Sequence, residues 1–120
     1  MKTILVVDDF ASVRLYHTSF LKQKGYACID ACDGAEALAK LPLQPVDLIL
    51  LDLVMPKMNG GEFLARLRAM PDYAHTPILA ITSEALKERT KEYQQTFGIE
   101  ALLKPVRPDE LLRKVQQFLN

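Results

Sequence analysis

Thr3-Ile4-Leu5-Val6-Val7-Asp8-Asp9 joins an unbroken apolar run to two adjacent carboxylates. A short run without polar alternation suits a strand covered on both faces, as in a parallel sheet. The pattern recurs along the chain. Val46 to Leu51, interrupted only by Asp47, ends at Asp52, and Pro77-Ile78-Leu79-Ala80-Ile81 ends at Thr82-Ser83. Tyr26 to Ala31 and Ala101-Leu102-Leu103 read as edge strands, the second running into Lys104-Pro105.

Helical spacing fills the intervals. Val13, Tyr16, His17, Phe20 and Leu21 form a stripe that Gly25 stops. Asp33 with Glu36 resembles a capping box ahead of Ala35–Leu41, with Asp in place of Ser or Thr. Phe63, Leu64, Leu67 and Met70 make a stripe closed by Pro71. Ser83 is positioned to cap a helix from about Glu84 to Phe97, with Gly98 at its end. Pro108 suits a first helical position, and Leu111, Leu112, Val115, Phe118 and Leu119 supply the last apolar face. Strands alternating with helices imply right-handed crossovers and an α/β sandwich with helices on both sides of the sheet.

The 120 residues suit one domain, and 49% hydrophobic with 25% charged residues is ordinary for a globular chain. Fifteen Lys and Arg balance fifteen Asp and Glu, so no excess positive charge points to nucleic acid or an anionic membrane. Only four apolar residues separate Thr3 from Asp8, too few for a secretory signal, and no apolar run approaches the ~20 residues that span a bilayer. A soluble, cytoplasmic chain is expected, with no output domain after Asn120. Cys28 and Cys32, four apart near a strand, would lie about 13 Å from each other at strand spacing, beyond disulfide reach. Both read as small, inert hydrophobes in a reducing compartment.

In open parallel sheets, ligands bind beyond the carboxyl ends of the strands. There the strands deliver Asp8-Asp9, Asp52, Thr82-Ser83 and Lys104-Pro105. Clustered carboxylates repel unless a cation or a lysine stands between them. A small oxygen-only group with room for water suits Mg²⁺. Mg²⁺, Lys104 and a hydroxyl donor would together neutralise the charge on a transferring phosphoryl group. A carboxylate can itself be the nucleophile, and Asp52, single on the central strand, is the natural acceptor.

Val6-Val7-Asp8-Asp9, Asp33-Gly34-Ala35-Glu36-Ala37-Leu38, Leu51-Asp52-Leu53-Val54-Met55-Pro56, Met58-Asn59-Gly60, Ile81-Thr82 and Lys104-Pro105 occur in an order and spacing that resemble a response-regulator receiver domain of the CheY-like kind. The resemblance runs the whole length of the chain. It implies a flavodoxin-like (βα)5 sandwich with strand order 2-1-3-4-5, and residues 1–120 as one receiver domain. It further implies that Asp52 accepts a phosphoryl group from a phosphohistidine of a sensor histidine kinase or phosphotransfer protein. Asp9, Asp52 and the main-chain carbonyl of Val54 would ligate Mg²⁺, with Asp8 acting through water. Thr82 and Lys104 would contact the phosphoryl oxygens, and the Lys104–Pro105 peptide would be cis.

Such a chain is a switch in a two-component system, a phosphoprotein that signals by contact with a downstream target protein. It would catalyse only phosphoryl transfer to its own Asp52 and the hydrolysis that follows. A monomer is expected, with no nucleic acid bound and no membrane insertion. Two rival readings are a Mg²⁺-dependent phosphatase or phosphotransferase with an Asp nucleophile, and a scaffold receiver that is never phosphorylated. Val54 stands where the first would usually carry a general acid, and retention of all five site residues speaks against the second. The chain departs from the family at Ala101, where Tyr or Phe usually stands three residues before Lys104. Without that ring, transmission is expected through Thr82-Ser83 and the helix start at Glu84. His17 reads as a core histidine and His75 as solvated. Tyr73, Tyr93 and Phe97 read as packing residues, and the mixed charges from Lys87 to Glu92 as a solvated helix face.

Overall fold

A computed structural model describes residues 1–55 and 59–120, so Pro56 and Met58 of the quoted motifs lie outside the described residues. In chain order the elements are β1 (Thr3–Val7), α1 (Ala11–Gln23), β2 (Ala27–Ala31), α2 (Gly34–Lys40), β3 (Leu48–Asp52), α3 (Gly60–Ala69), β4 (Ile78–Thr82), α4 (Lys87–Phe97), β5 (Glu100–Leu103) and α5 (Pro108–Leu119). The strands pair in parallel in the order β2-β1-β3-β4-β5, the order expected of the flavodoxin-like sandwich. The register sets Val7 against both Ala31 and Leu51, Asp52 against Ile81 and Thr82 against Leu103. The carboxyl ends of the inner strands are therefore level, and the residues just past them meet.

Strand side chains alternate between faces, and the two cores divide accordingly. Leu5, Val7, Ile49, Leu51, Ile78 and Ala80 pack against Ala37 of α2 and Phe63, Leu64 and Leu67 of α3. Ile4, Val6, Leu48, Leu50, Leu79 and Ile81 pack against Leu21 of α1 and Leu111 and Val115 of α5. All five residues of β3 and of β4 are buried, the consequence of helices on both sides.

The helix ends follow local chemistry, with some differences from the sequence reading. The Asp33 side chain accepts the Glu36 amide at 2.8 Å, while the Glu36 carboxylate reaches the amide of Cys32, one residue short of a reciprocal box. Asn59 caps α3 by accepting the Glu62 amide at 3.0 Å. Ser83 makes no side-chain cap; a single 3₁₀ turn, Glu84–Leu86, precedes α4. On α1 the inward stripe is His17, Thr18 and Leu21, with Phe20 half-buried, whereas Val13 and Tyr16 are exposed. The sequence stripe holds His17 and Leu21 but misses Thr18, a polar residue that faces inward, and takes in Val13 and Tyr16, which face solvent.

Arg68 of α3 ties down the far end of α4. Its Nε donates to the Phe97 carbonyl at 2.9 Å, and its Nη1 donates to the carbonyls of Tyr73 and Thr76. Gly98 then ends α4 in the left-handed region, at φ 68° and ψ 41°. A Cβ there would meet nothing within 4 Å, so any penalty comes from the backbone alone. Gly98→Ala should destabilise the fold by about 1 kcal/mol, and Gly98→Asn by less, as read by urea denaturation.

Candidate functional site

The central strand β3 carries Asp52 to its carboxyl end, where the side chain is 2% exposed. Both carboxylate oxygens are engaged. Oδ1 accepts the Val54 amide at 2.8 Å, and Oδ2 accepts from Lys104 Nζ at 3.0 Å. Lys104 continues the β5 ladder, its amide donating to the Thr82 carbonyl at 2.8 Å, and the Lys104–Pro105 peptide is cis.

Asp8 and Asp9 leave the adjacent strand β1. Asp8 is buried, and its Oδ1 accepts the Phe10 amide at 2.9 Å, a local turn that starts α1. Its main-chain carbonyl accepts from Arg14 Nη1 at 2.7 Å, and Arg14 Nε pairs with Asp30 at 2.9 Å. Asp9 is exposed. One carboxylate oxygen from each of Asp8, Asp9 and Asp52 lies within 4.8 Å of the others. Burial pushes the Asp8 carboxyl above its ordinary range; the Phe10 amide opposes this, the Asp52 charge adds to it, and Lys104 opposes it again. Three carboxylates at this spacing, with oxygen donors only, can hold a hard divalent cation of the Mg²⁺ kind. Val54, the expected carbonyl donor, is tied to the same place because its amide donates a hydrogen bond to Asp52 Oδ1.

Thr82 belongs to the other face of the sheet, in step with Ile78 and Ala80. Its buried Oγ1 lies 2.8 Å from Oγ1 of Thr90 on α4, and Thr90 donates to the Leu86 carbonyl at 2.8 Å. The expectation that Ser83 caps the helix and leaves Thr82 free is therefore corrected: the Thr82 hydroxyl is already paired. Sequence reading missed Thr90, which it counted into a solvated helix face. Its only signal was a hydroxyl on the inward side of an otherwise charged helix.

Ala101 is half-buried and packs against the same core as Tyr93 and Phe97, so α4 supplies the aromatic bulk on this side. The Tyr93 ring crosses the start of α3 so closely that a Cβ at Gly60 or Gly61 would sit 3.2–3.3 Å from its ring or from Leu53. His17 is buried, as read, and His75 is exposed. Tyr73 is a packing residue whose hydroxyl donates toward the Leu41 carbonyl at 2.7 Å and lies 3.0 Å from that of Gln44. Of the cysteines, Cys28 is half-buried and Cys32 exposed.

A parallel sheet of this order thus gathers three acids and a lysine at its carboxyl edge, where they form a compact oxygen-rich site. The family model "Response regulator receiver domain" matches residues 4–116, and the chain belongs to that family. Chemotaxis protein CheY-3 of Vibrio cholerae is 33% identical over 118 residues, covering 98% of this chain and 91% of that one. The CAI-1 autoinducer sensor kinase/phosphatase CqsS of the same organism is 36% identical over 120 residues, of which this chain spans 17% of its length. The solved structure of the chemotaxis response regulator CheY4 of V. cholerae matches with a TM-score of 0.88 and 38% identity, covering 99% of each chain. The protein is thus a CheY-like receiver domain of two-component signalling. Among the described residues, no helix is long and apolar enough to cross a membrane.

Two stability predictions follow from the buried charges. Asp8→Asn keeps an oxygen for the Phe10 amide and removes a buried negative charge beside Asp52. The metal-free variant should be more stable by about 0.5–2 kcal/mol in urea, and millimolar Mg²⁺ should narrow the gap. His17 is held below its ordinary imidazole value by burial, with the Asp52 charge acting upward and the Lys104 charge downward. The folded state therefore binds fewer protons than the unfolded one near pH 6. Its contribution is whole above the unfolded value of about 6.5 and is lost as pH falls below it, by at most ~1.4 kcal/mol per pH unit. Denaturation midpoints at pH 7.5 and 5.5 should diverge more for the wild type than for His17→Phe.

Proposed function

We propose that the chain is a phosphorylation switch in which Asp52 accepts a phosphoryl group from a phosphohistidine. The supporting observation is the pairing of a buried Asp52 carboxylate with Lys104 Nζ at 3.0 Å, beside two further carboxylates at the sheet edge. An Asp52 oxygen forms the new bond to phosphorus. The phosphorus–nitrogen bond to the donor breaks, and the histidine keeps that electron pair. Lys104 then serves the phosphoryl oxygens with the ammonium that first served the carboxylate, and the Val54 amide keeps the Asp52 side chain oriented. Asp8 and Asp9, with Asp52 and the Val54 carbonyl, would hold Mg²⁺, which when bound supplies positive charge against both the phosphoryl oxygens and the carboxylates. Thr82 would donate its hydroxyl to the same group once it leaves Thr90.

The reading includes no turnover substrate. Residues 1–120 act as one receiver unit in the cytoplasm, taking the phosphoryl group from a sensor kinase or phosphotransfer protein and passing the signal by contact with a target. A single copy carries every residue of the site. Val54 also weighs against a dedicated phosphatase, because it offers no proton to a leaving group two residues past the nucleophile.

Incubation with acetyl phosphate and Mg²⁺ tests this reading. The wild type should gain one phosphoryl group by intact mass, labile to hydroxylamine, and Asp52→Asn should gain none. Labelling of Asp52→Asn to the wild-type level would place the acceptor elsewhere. Asp9→Ala should slow labelling at least tenfold at millimolar Mg²⁺.

A further inference from the structure

Each hydroxyl in the buried Thr82–Thr90 pair has one proton to give. Thr90 gives its own to the Leu86 carbonyl at 2.8 Å, so the 2.8 Å contact between the two hydroxyls is a bond donated by Thr82 to Thr90. Thr82 has no second proton for a phosphoryl oxygen at the Asp52 site. Resting on the phosphorylation reading above, we propose that Thr90 is a positioning residue for that site. It holds the Thr82 hydroxyl on α4 in the unphosphorylated state, and a phosphoryl group on Asp52 must take the hydroxyl from it.

Three further features support the exchange. Strand alternation turns Thr82 toward the α4 side of the sheet while Asp52 shares the face of Leu48 and Leu50, so the two positions of the hydroxyl lie on different sides. Thr90 keeps its donor satisfied at Leu86 after Thr82 leaves, so nothing buried is stranded. Arg68 holds the far end of α4 through the Phe97 carbonyl, whereas the near end follows a single turn whose Ser83 makes no side-chain cap. Loss of the Thr82 bond therefore unties the near half of α4 from β4 and leaves the far half anchored.

Beryllofluoride with Mg²⁺, a phosphoryl mimic that binds an acceptor carboxylate, provides the probe, titrated by calorimetry. Thr90→Val keeps the shape of Thr90 and removes the competitor for the Thr82 proton. It should bind the probe about 2–10 times more tightly than the wild type, the worth of one net hydrogen bond. Thr90→Ser should bind as the wild type does. Thr82→Ala should bind more weakly, and adding Thr90→Val to it should change nothing further. A purely structural role for Thr90 would move both backgrounds alike. Unchanged or weaker binding by Thr90→Val, or an equal shift in the Thr82→Ala background, overturns the proposal. Wild-type binding retained by Asp52→Asn would instead overturn the site reading beneath it.

Discussion

A carboxylate that is 2% exposed at the end of the central strand is the constraint on which the rest of this structure depends. A buried charge is tolerated only with partners, and Asp52 has two, the Val54 amide and the Lys104 ammonium. The lysine comes from β5, with β4 lying between it and β3. Two strand spacings amount to ~9–10 Å, a span suited to the long, flexible lysine side chain. The order β3-β4-β5 and the level register of their carboxyl ends are thus conditions for the ion pair.

Asp8 and Asp9 work against stability in the same place. Their oxygens stand within reach of Asp52, and burial alone already disfavours the ionised form of Asp8. A fold optimised only for stability would not gather three carboxylates where one lysine serves them. Concentrated strain of this kind marks a site kept for its chemistry. The cost is offset locally by the Phe10 amide, which donates to the Asp8 carboxylate, and by the nearby Lys104 charge.

The faces of the sheet divide the labour. Asp52 shares the α1 and α5 face with His17, and Thr82 shares the opposite one with α4. The two faces meet at the carboxyl end of the sheet, where Asp52 and Thr82 stand on neighbouring strands. The tight approach of Tyr93 to Gly60 and Gly61 adds a second point at which α4 is keyed to the region beyond β3.

Sequence alone was enough for the strands, their parallel pairing and the identity of the acids and lysine at their ends. Runs such as Thr3–Val7 need two covered faces, and polar residues directly after them must gather at one edge. Pro108 and Gly98 marked helix boundaries for similarly local reasons, a fixed φ and a left-handed φ. The inward face of α1 was legible only in part: His17 and Leu21 stand in the stripe, but Thr18 is polar and passes unnoticed. The Thr82–Thr90 bond was not legible, since the partners stand eight positions apart across a 3₁₀ turn and their meeting depends on how α4 lies on the sheet. Local patterns report what each residue needs from its neighbours in the chain. Which hydroxyl takes which proton is decided by distances that only packed helices and strands create.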